Sequence, residues 1–408
     1  GMSVLLRRSI NRFNISSIRS LLTSSFAIEE SWEERHKEIN KLGLGGDYEW
    51  IATVQKKFIG GGYASAVDVD AAVCMGEHKD QVSDLIDILR KLRHSPYAYK
   101  MSPSSQYALL RLLLKYNPQE IVVLANDTIN NGIFPDEHAA CLIMDHFIKK
   151  DQIANACGIG CWLMQQEMLS SELVNSLSLY SCLKWIELPF DERSIKEENE
   201  EDDDMNDDDI VTLKMAYLKN HYNDEHFDLI HLQSLVAKTL SWLAREMNID
   251  PLLKSGCIGM SNILNGRLID GLDRVVLKNI HSYLSSIPNP TQEQTDFITK
   301  LSTEIEGVDV NLSSLALSYF KGIQEKEEKD LVDIEKNKFM NWNERRKSLI
   351  EAQANKLNLK IKRVEMEEEM SSLTSEEENL FFFQNRLLLE KSARDNAEVR
   401  AEAAQMNK

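Results

Sequence analysis

Three histidines, His221, His226 and His231, stand five residues apart, and histidine is the residue type that ligates zinc or moves protons near neutral pH. Five residues on a helix amount to a rotation of about 140° per step, so the three imidazoles fan apart and cannot close on one ion. Six cysteines, Cys74, Cys141, Cys157, Cys161, Cys182 and Cys257, contain no CxxC pair, and Cys157 and Cys161 fall one helical turn apart in an apolar run. They read as reduced packing thiols. Carboxylates number 65 against 47 lysines and arginines, and the densest run, 191–209, holds twelve of them beside only Arg193 and Lys196. Such a run is expected to be a solvated, disordered loop, in which nothing holds two acids in a working geometry. The sequence has no GxxxxGK[ST], HExxH or GxSxG, and the glycine clusters at 43–46 and 60–62 lack the strand–turn–helix setting of a phosphate loop. It therefore predicts no catalytic residue, metal, cofactor or small-molecule substrate.

With a net charge of −18, any nucleic-acid contact must come from a local basic surface on an acidic body. Lys91, Arg93 and His94 cluster at a predicted helix end, Arg111 and Lys115 share a face four residues apart, and Lys149 and Lys150 sit where a helix gives way to a turn. These seven are the basic residues that the family resemblances given below would make RNA contacts, each weighed against the ordinary role of a solvated charge. Tyr107, Tyr116 and Trp162 could stack on bases, although aromatics at such positions more often belong to the core.

The elements that must position these residues are helical. Leu, Ile, Ala, Glu and Lys dominate, with 8 prolines and 17 glycines, and β-branched alternation is almost absent. Helices are expected at 28–41, 67–75, 81–92, 107–116, 119–130, 137–149, 152–168, 227–247, 264–284 and 291–305. From about 312 to 408 the composition becomes that of a charged, long helical tail. There Ile350, Ala354, Leu357, Ile361 and Val364 form a narrow stripe like a short coiled-coil seam, and the last fifteen residues are expected to fray. No apolar run approaches the roughly 20 residues needed to cross a bilayer.

Before Glu29 the chain carries Arg7, Arg8, Arg12 and Arg19, seven serines and no acid. Leu6, Ile10 and Phe13 fall together on a helical wheel, away from Arg8, Arg12 and Arg19. This is the make-up of a mitochondrial leader over 1–28, with removal expected between residues 19 and 29.

A shift of 33 residues lays Leu109 on Leu142, Leu110 on Ile143, Leu114 on Phe147 and Gln119 on Gln152. A period in the thirties with two helices per unit is the mark of an α-solenoid, whose hairpins stack because none can cover its apolar face alone. Repeats are expected at about 100–170 within a helical domain over 29–190, with further hairpins at 210–310. The boundary Gly132-Ile133-Phe134-Pro135-Asp136 suits a glycine that ends one helix and a proline that opens the next turn. It resembles the boundary between pentatricopeptide repeats, which read single-stranded RNA. That resemblance puts the two base-reading positions at Ala108 and Cys141 on the first helices and at Asp136 on the boundary. Ala and Cys cannot donate and accept as Asn, Ser or Thr would. Binding by shape and phosphate contact is thus favoured over sequence reading.

The ordered set of Lys91-Leu92-Arg93-His94-Ser95-Pro96, Leu114-Lys115-Tyr116, Gly132 to Asp136, residues 142–150 (LIMDHFIKK) and Met164-Gln165-Gln166-Glu167 carries a more specific likeness. It resembles the mitochondrial small-ribosomal-subunit protein family numbered twenty-seven. The resemblance is firm over 91–167 and elsewhere rests on layout. It implies a structural, non-enzymatic ribosomal component in the mitochondrial matrix, in contact with small-subunit rRNA and neighbouring small-subunit proteins, with no membrane role. The alternatives are a free mitochondrial pentatricopeptide factor acting on transcripts, and a helical protein–protein scaffold.

Overall fold

A computed structural model describes residues 20–195, 226 and 229–406. Residues 1–19 of the leader expected over 1–28, residues 196–209 of the acidic run, His221 and most of 210–228 lie outside the described residues. Among those described, the chain is all-helical with no strand. In order come α1 (Glu29–Asn40), α2 (Asp47–Lys57), α3 (Ala66–Met75), α4 (Val82–Arg93), α5 (Pro103–Tyr116), α6 (Pro118–Asn126), α7 (Thr128–Asn131), α8 (Glu137–Lys149), α9 (Ile153–Gln165) and α10 (Glu172–Glu187). There follow α11 (Leu232–Glu246), α12 (Pro251–Leu264), α13 (Arg274–Ser286), α14 (Gln292–Glu304) and α15 (Leu312–Met406). The chain divides into two units, Gly1–Arg346 and Lys347–Lys408.

Helix ends follow local chemistry. Asp136 caps α8 by accepting from the Ala139 N–H at 2.8 Å, and Gly132, at φ 59°, closes α7 in the left-handed conformation that glycine reaches without steric cost. Pro135 stands just before that cap, outside the helix. The predicted helix over 119–130 is interrupted at Asp127, whose carboxylate caps α7. The predicted helix over 264–284 is two elements: Gly266 and Gly271 take positive φ, and Asp273 caps α13. The sequence reading missed α2, and it missed α12, although Asp250-Pro251 is a cap followed by a proline at the first helical position. Helix α15 runs on through Met406 rather than ending before the last fifteen residues.

In the first unit, α5 packs on α6 and α8, α8 on α9, and α6 on α9. Of the residues that the 33-residue shift superposes, Leu109, Leu110, Ile143 and Phe147 are buried, Leu114, Gln119 and Leu142 are half-buried, and Gln152 is exposed. Full burial of each large apolar side chain contributes about 1.5–3 kcal/mol. Helix α10 packs on α8, α9, α11 and α13. Its buried Ser176 and Ser181 hydroxyls donate to the carbonyls of Leu173 and Leu177, which satisfies polar groups that water cannot reach. At the start of the acidic run, Arg193 is buried and donates to the Ile186 carbonyl and the Ser286 hydroxyl.

Two further segments complete this unit. Residues 20–28 form a strap whose Leu22, Phe26 and Ile28 are buried. The first part of α15 buries Leu312, Ala316, Phe320, Leu331 and Phe339. These segments meet: Glu328 accepts from the Thr23 N–H at 3.1 Å and hydroxyl at 2.6 Å, and Gln324 donates to the Leu21 carbonyl at 2.7 Å. The second unit is a helix whose apolar side chains, among them Leu357, Ile361, Val364 and Phe381, are exposed.

Candidate nucleic-acid interface

The candidate basic residues separate into two groups. Arg93 is buried at the C-terminal end of α4, where its Nε donates to the Ile129 carbonyl at 3.2 Å. It lies so close over Gly132 that a Cβ there would stand 2.5 Å from the guanidinium. Arg111 is also buried. It donates to the Tyr107 hydroxyl at 2.8 Å and the Ala27 carbonyl at 2.5 Å, and pairs with Glu29 at 3.1 Å. Both guanidiniums are committed to holding loops on the hairpins. His94 is half-buried, and burial, with Arg93 and Arg90 beside it, holds its pKa below the ordinary value. It stays neutral at pH 7.

Lys91, Lys115, Lys149 and Lys150 are exposed. Lys91 pairs with Asp87 at 2.8 Å on its own helix, an exposed i,i+4 contact worth only a few tenths of a kcal/mol. Lys115 lies 5.1 Å from the Tyr116 ring centre. Lys149 and Lys150 occupy the last turn and the cap of α8, where positive charge complements the helix dipole.

The positions taken over from the repeat resemblance are turned inward. Ala108 and Cys141 are buried in the seams, and burial pushes the Cys141 thiol well above its ordinary pKa. The Asp136 carboxylate is occupied by its cap and by Lys338 at 3.4 Å. Tyr107 and Trp162 are core residues.

A different aromatic group is exposed, and the sequence reading missed it. After Pro96 stops α4, Tyr97 and Tyr99 point outward while Ala98 between them is buried. Lys100 lies 5.9 Å from the Tyr97 ring centre and 5.6 Å from that of Tyr99. Tyr63, from the loop before α3, meets Tyr97 edge-to-face at 6.2 Å, and it too is exposed. Three exposed phenols beside an ammonium leave ring surface on which unpaired bases can stack while a phosphate is neutralised. The Y-A-Y-K order after a proline was the available signal.

Cys157, Cys161 and Cys182 bring their sulfurs within 4.8 Å of one another, all buried. No fourth histidine, cysteine or carboxylate joins them among the described residues, and a structural zinc takes four ligands. Burial pushes the Cys157 thiol well above its ordinary pKa. These thiols fill the α9–α10 seam. No described helix is long and apolar enough to cross a membrane.

Residues 2–372 match the family described as mitochondrial 28S ribosomal protein S27.

Proposed function

The chain belongs to the mitochondrial 28S ribosomal protein S27 family, whose members are small-subunit ribosomal proteins of the mitochondrial matrix, and on that premise we propose how it serves the subunit. It is a structural component that holds small-subunit rRNA through stacking and phosphate contacts, and neighbouring ribosomal proteins through its exposed C-terminal helix. The stacked hairpins of α5–α9 act as a short pentatricopeptide-like solenoid that supports these surfaces rather than as a base reader. The observation that carries the reading is the exposed Tyr63–Tyr97–Tyr99 group with Lys100. Lys115, Lys149 and Lys150 extend the cationic contribution.

The transcript-reading alternative has little support, because Ala108 and Cys141, where base readers carry polar side chains, are buried. A scaffold role is favoured over the second unit alone, whose Leu380 to Phe383 and Leu387 to Leu389 are exposed. A family of ribosomal proteins suggests no catalysis.

The test is sedimentation of mitochondrial lysates in magnesium, with and without ribonuclease, comparing wild type with Tyr97→Ala/Tyr99→Ala and with Lys149→Glu/Lys150→Glu. The wild-type chain is expected to sediment with the small subunit and to leave it when ribonuclease dismantles the RNA. Each base–aromatic stack is worth about 1–3 kcal/mol, so the double tyrosine variant should dissociate at lower salt, with the helical circular dichroism unchanged. The lysine pair should do the same by removing phosphate contacts. Retention of both variants at every salt concentration would overturn the RNA-binding assignment.

A further inference from the structure

Asp145 is a buried carboxylate on α8, facing the strap. One of its oxygens, Oδ1, accepts from the Leu21 N–H at 2.7 Å and the Leu22 N–H at 3.3 Å, and the other accepts from the Ser20 hydroxyl at 2.5 Å. No lysine, arginine or histidine pairs with it among the described residues. The three donors aimed at this buried carboxylate are all neutral, so its site holds a carboxylate with no paired cation.

The strap also limits where a leader could end. Removal past Leu22 would empty the sites of buried side chains, and removal up to residue 28 would take Phe26, stacked on His138 at 4.6 Å. It would also strip the acceptors from His138, which donates to the Phe26 carbonyl at 2.7 Å, and from Arg111, which donates to that of Ala27. A cut must therefore fall before Leu22. In the sequence, Arg19 is the last of the four arginines that precede the first acid, Glu29, so the basic stretch ends where the strap begins.

We infer that the leader is removed at the Ser20–Leu21 bond, and that the new α-ammonium of Leu21 becomes the ionic partner of Asp145. This rests on the reading of the N-terminal segment as a leader. Peptidase-catalysed hydrolysis breaks the amide C–N bond: the Ser20 carbonyl carbon takes the hydroxyl of water, and the Leu21 nitrogen takes its proton. A further proton from solvent gives the ammonium, whose ordinary pKa is about 7.7–8.0, and an adjoining carboxylate favours the charged form. Departure of Ser20 frees Oδ2 for one of the added N–H groups, so an atom already 2.7 Å from the carboxylate gains charge in place. The peptidase acts on the extended, importing chain, so burial of the finished strap does not hinder it.

The first test is N-terminal mass spectrometry of the chain isolated from mitochondria. Leu21 is the expected terminus. An intact leader would overturn the inference together with the leader reading beneath it, whereas a terminus at any other cut site would overturn the inference alone. The second test uses the chain beginning at Leu21, with and without N-acetylation, as wild type and as Asp145→Asn. Acetylation should lower the wild-type Tm by a few degrees and leave that of Asp145→Asn nearly unmoved. Equal losses in both backgrounds would show that the ammonium and Asp145 do not interact, and the inference would fall.

Discussion

Replacing Arg346 with methionine tests how the first part of α15 is held on the hairpins. The Arg346 Nε donates to Asp70 Oδ2 at 2.7 Å, and both side chains are only 3% exposed. Asp70 Oδ1 also accepts the Ser104 and Ser105 hydroxyls at 2.5 and 2.7 Å. Arg346 donates in addition to Asn343 Oδ1 at 3.0 Å and Cys74 Sγ at 3.2 Å. Burial opposes its charge, but Asp70 and Cys74 outweigh that and hold its pKa above the ordinary value. Methionine fills much of the same space yet leaves the Asp70 carboxylate buried with two hydroxyls, the Cys74 thiol and no cation. Breaking a buried pair from one side costs about 3–5 kcal/mol, most of it the stranded charge. With a urea m-value of at least about 3 kcal/mol/M, a loss of about 4 kcal/mol lowers the unfolding midpoint by up to about 1.3 M. Adding Asp70→Asn removes the stranded charge, so the double variant should be more stable than Arg346→Met alone, with a coupling energy of about 2–3 kcal/mol. Urea unfolding followed by circular dichroism on the four chains measures both quantities. A single-variant loss under about 1 kcal/mol, or strict additivity, would refute the claim that charge compensation rather than packing holds this contact.

Two further outcomes follow from buried titratable groups. Burial and the neighbouring Asp136 push the Glu335 carboxyl up to about 10. Lys338, 3.4–3.6 Å from Asp136, Glu137 and Glu335, cannot balance three anions. Glu335 is thus protonated in the fold but ionised in the unfolded chain above its ordinary value of 4.5, so its contribution is fully present below that value and is lost as pH rises toward 10. Glu335→Gln should therefore raise the Tm more at pH 8 than at pH 5, and an equal change at both would refute this. In the second case burial lowers His138 to about 4, so the ring is neutral, and its contribution, present above pH 6.5, is lost as pH falls toward 4. Because Arg111 donates into the Tyr107 oxygen, the phenol proton goes to His138 Nδ1 at 2.9 Å, and Nε2–H donates to the Phe26 carbonyl. Tyr107→Phe strands both neighbours and should cost about 1–3 kcal/mol in denaturant unfolding; no measurable loss would mean that this network is not closed.

Periodic apolar spacing carried the helical class, and α8 falls on its predicted residues because both ends have strong local signals, Asp136 as cap and Lys149 before the turn. Errors occurred where a break depends on backbone freedom, as at Gly266 and Gly271, or where one capping carboxylate divides an apolar stretch, as at Asp127. The return of α15 onto the strap was not legible. Glu328 and Thr23 are 305 residues apart, and no short-range pattern encodes a contact of that separation. The candidate interface was read by charge, and charge alone does not tell an arginine that will face solvent from one that will fill a seam.

That last failure has a physical cause that bears on the function. The buried cationic side chains among the described residues are arginines, Arg35, Arg93, Arg111, Arg193 and Arg346, with no lysine beside them. A guanidinium offers five donors in a plane and is weakly hydrated, so it can satisfy several carbonyls and lie over a ring while giving up little solvation. Arg35 does this, donating to the Cys74 and Gly76 carbonyls with its charge 3.8 Å from the Trp32 ring centre. An ammonium is compact and strongly hydrated, and it keeps its charge at the surface. At the candidate interface Arg93 and Arg111 are drawn into the structure in this way, and the exposed cations among the candidates are Lys91, Lys115, Lys149 and Lys150; arginines exposed elsewhere, such as Arg245, Arg267 and Arg274, lie outside that set. Lysine neutralises phosphate but does not fix the register of a base as a bidentate arginine can. An interface made of lysines and tyrosine faces is therefore suited to gripping RNA whose position other contacts have already set. That is the demand on a structural protein within a ribosomal subunit, and it differs from that on a reader of free transcripts.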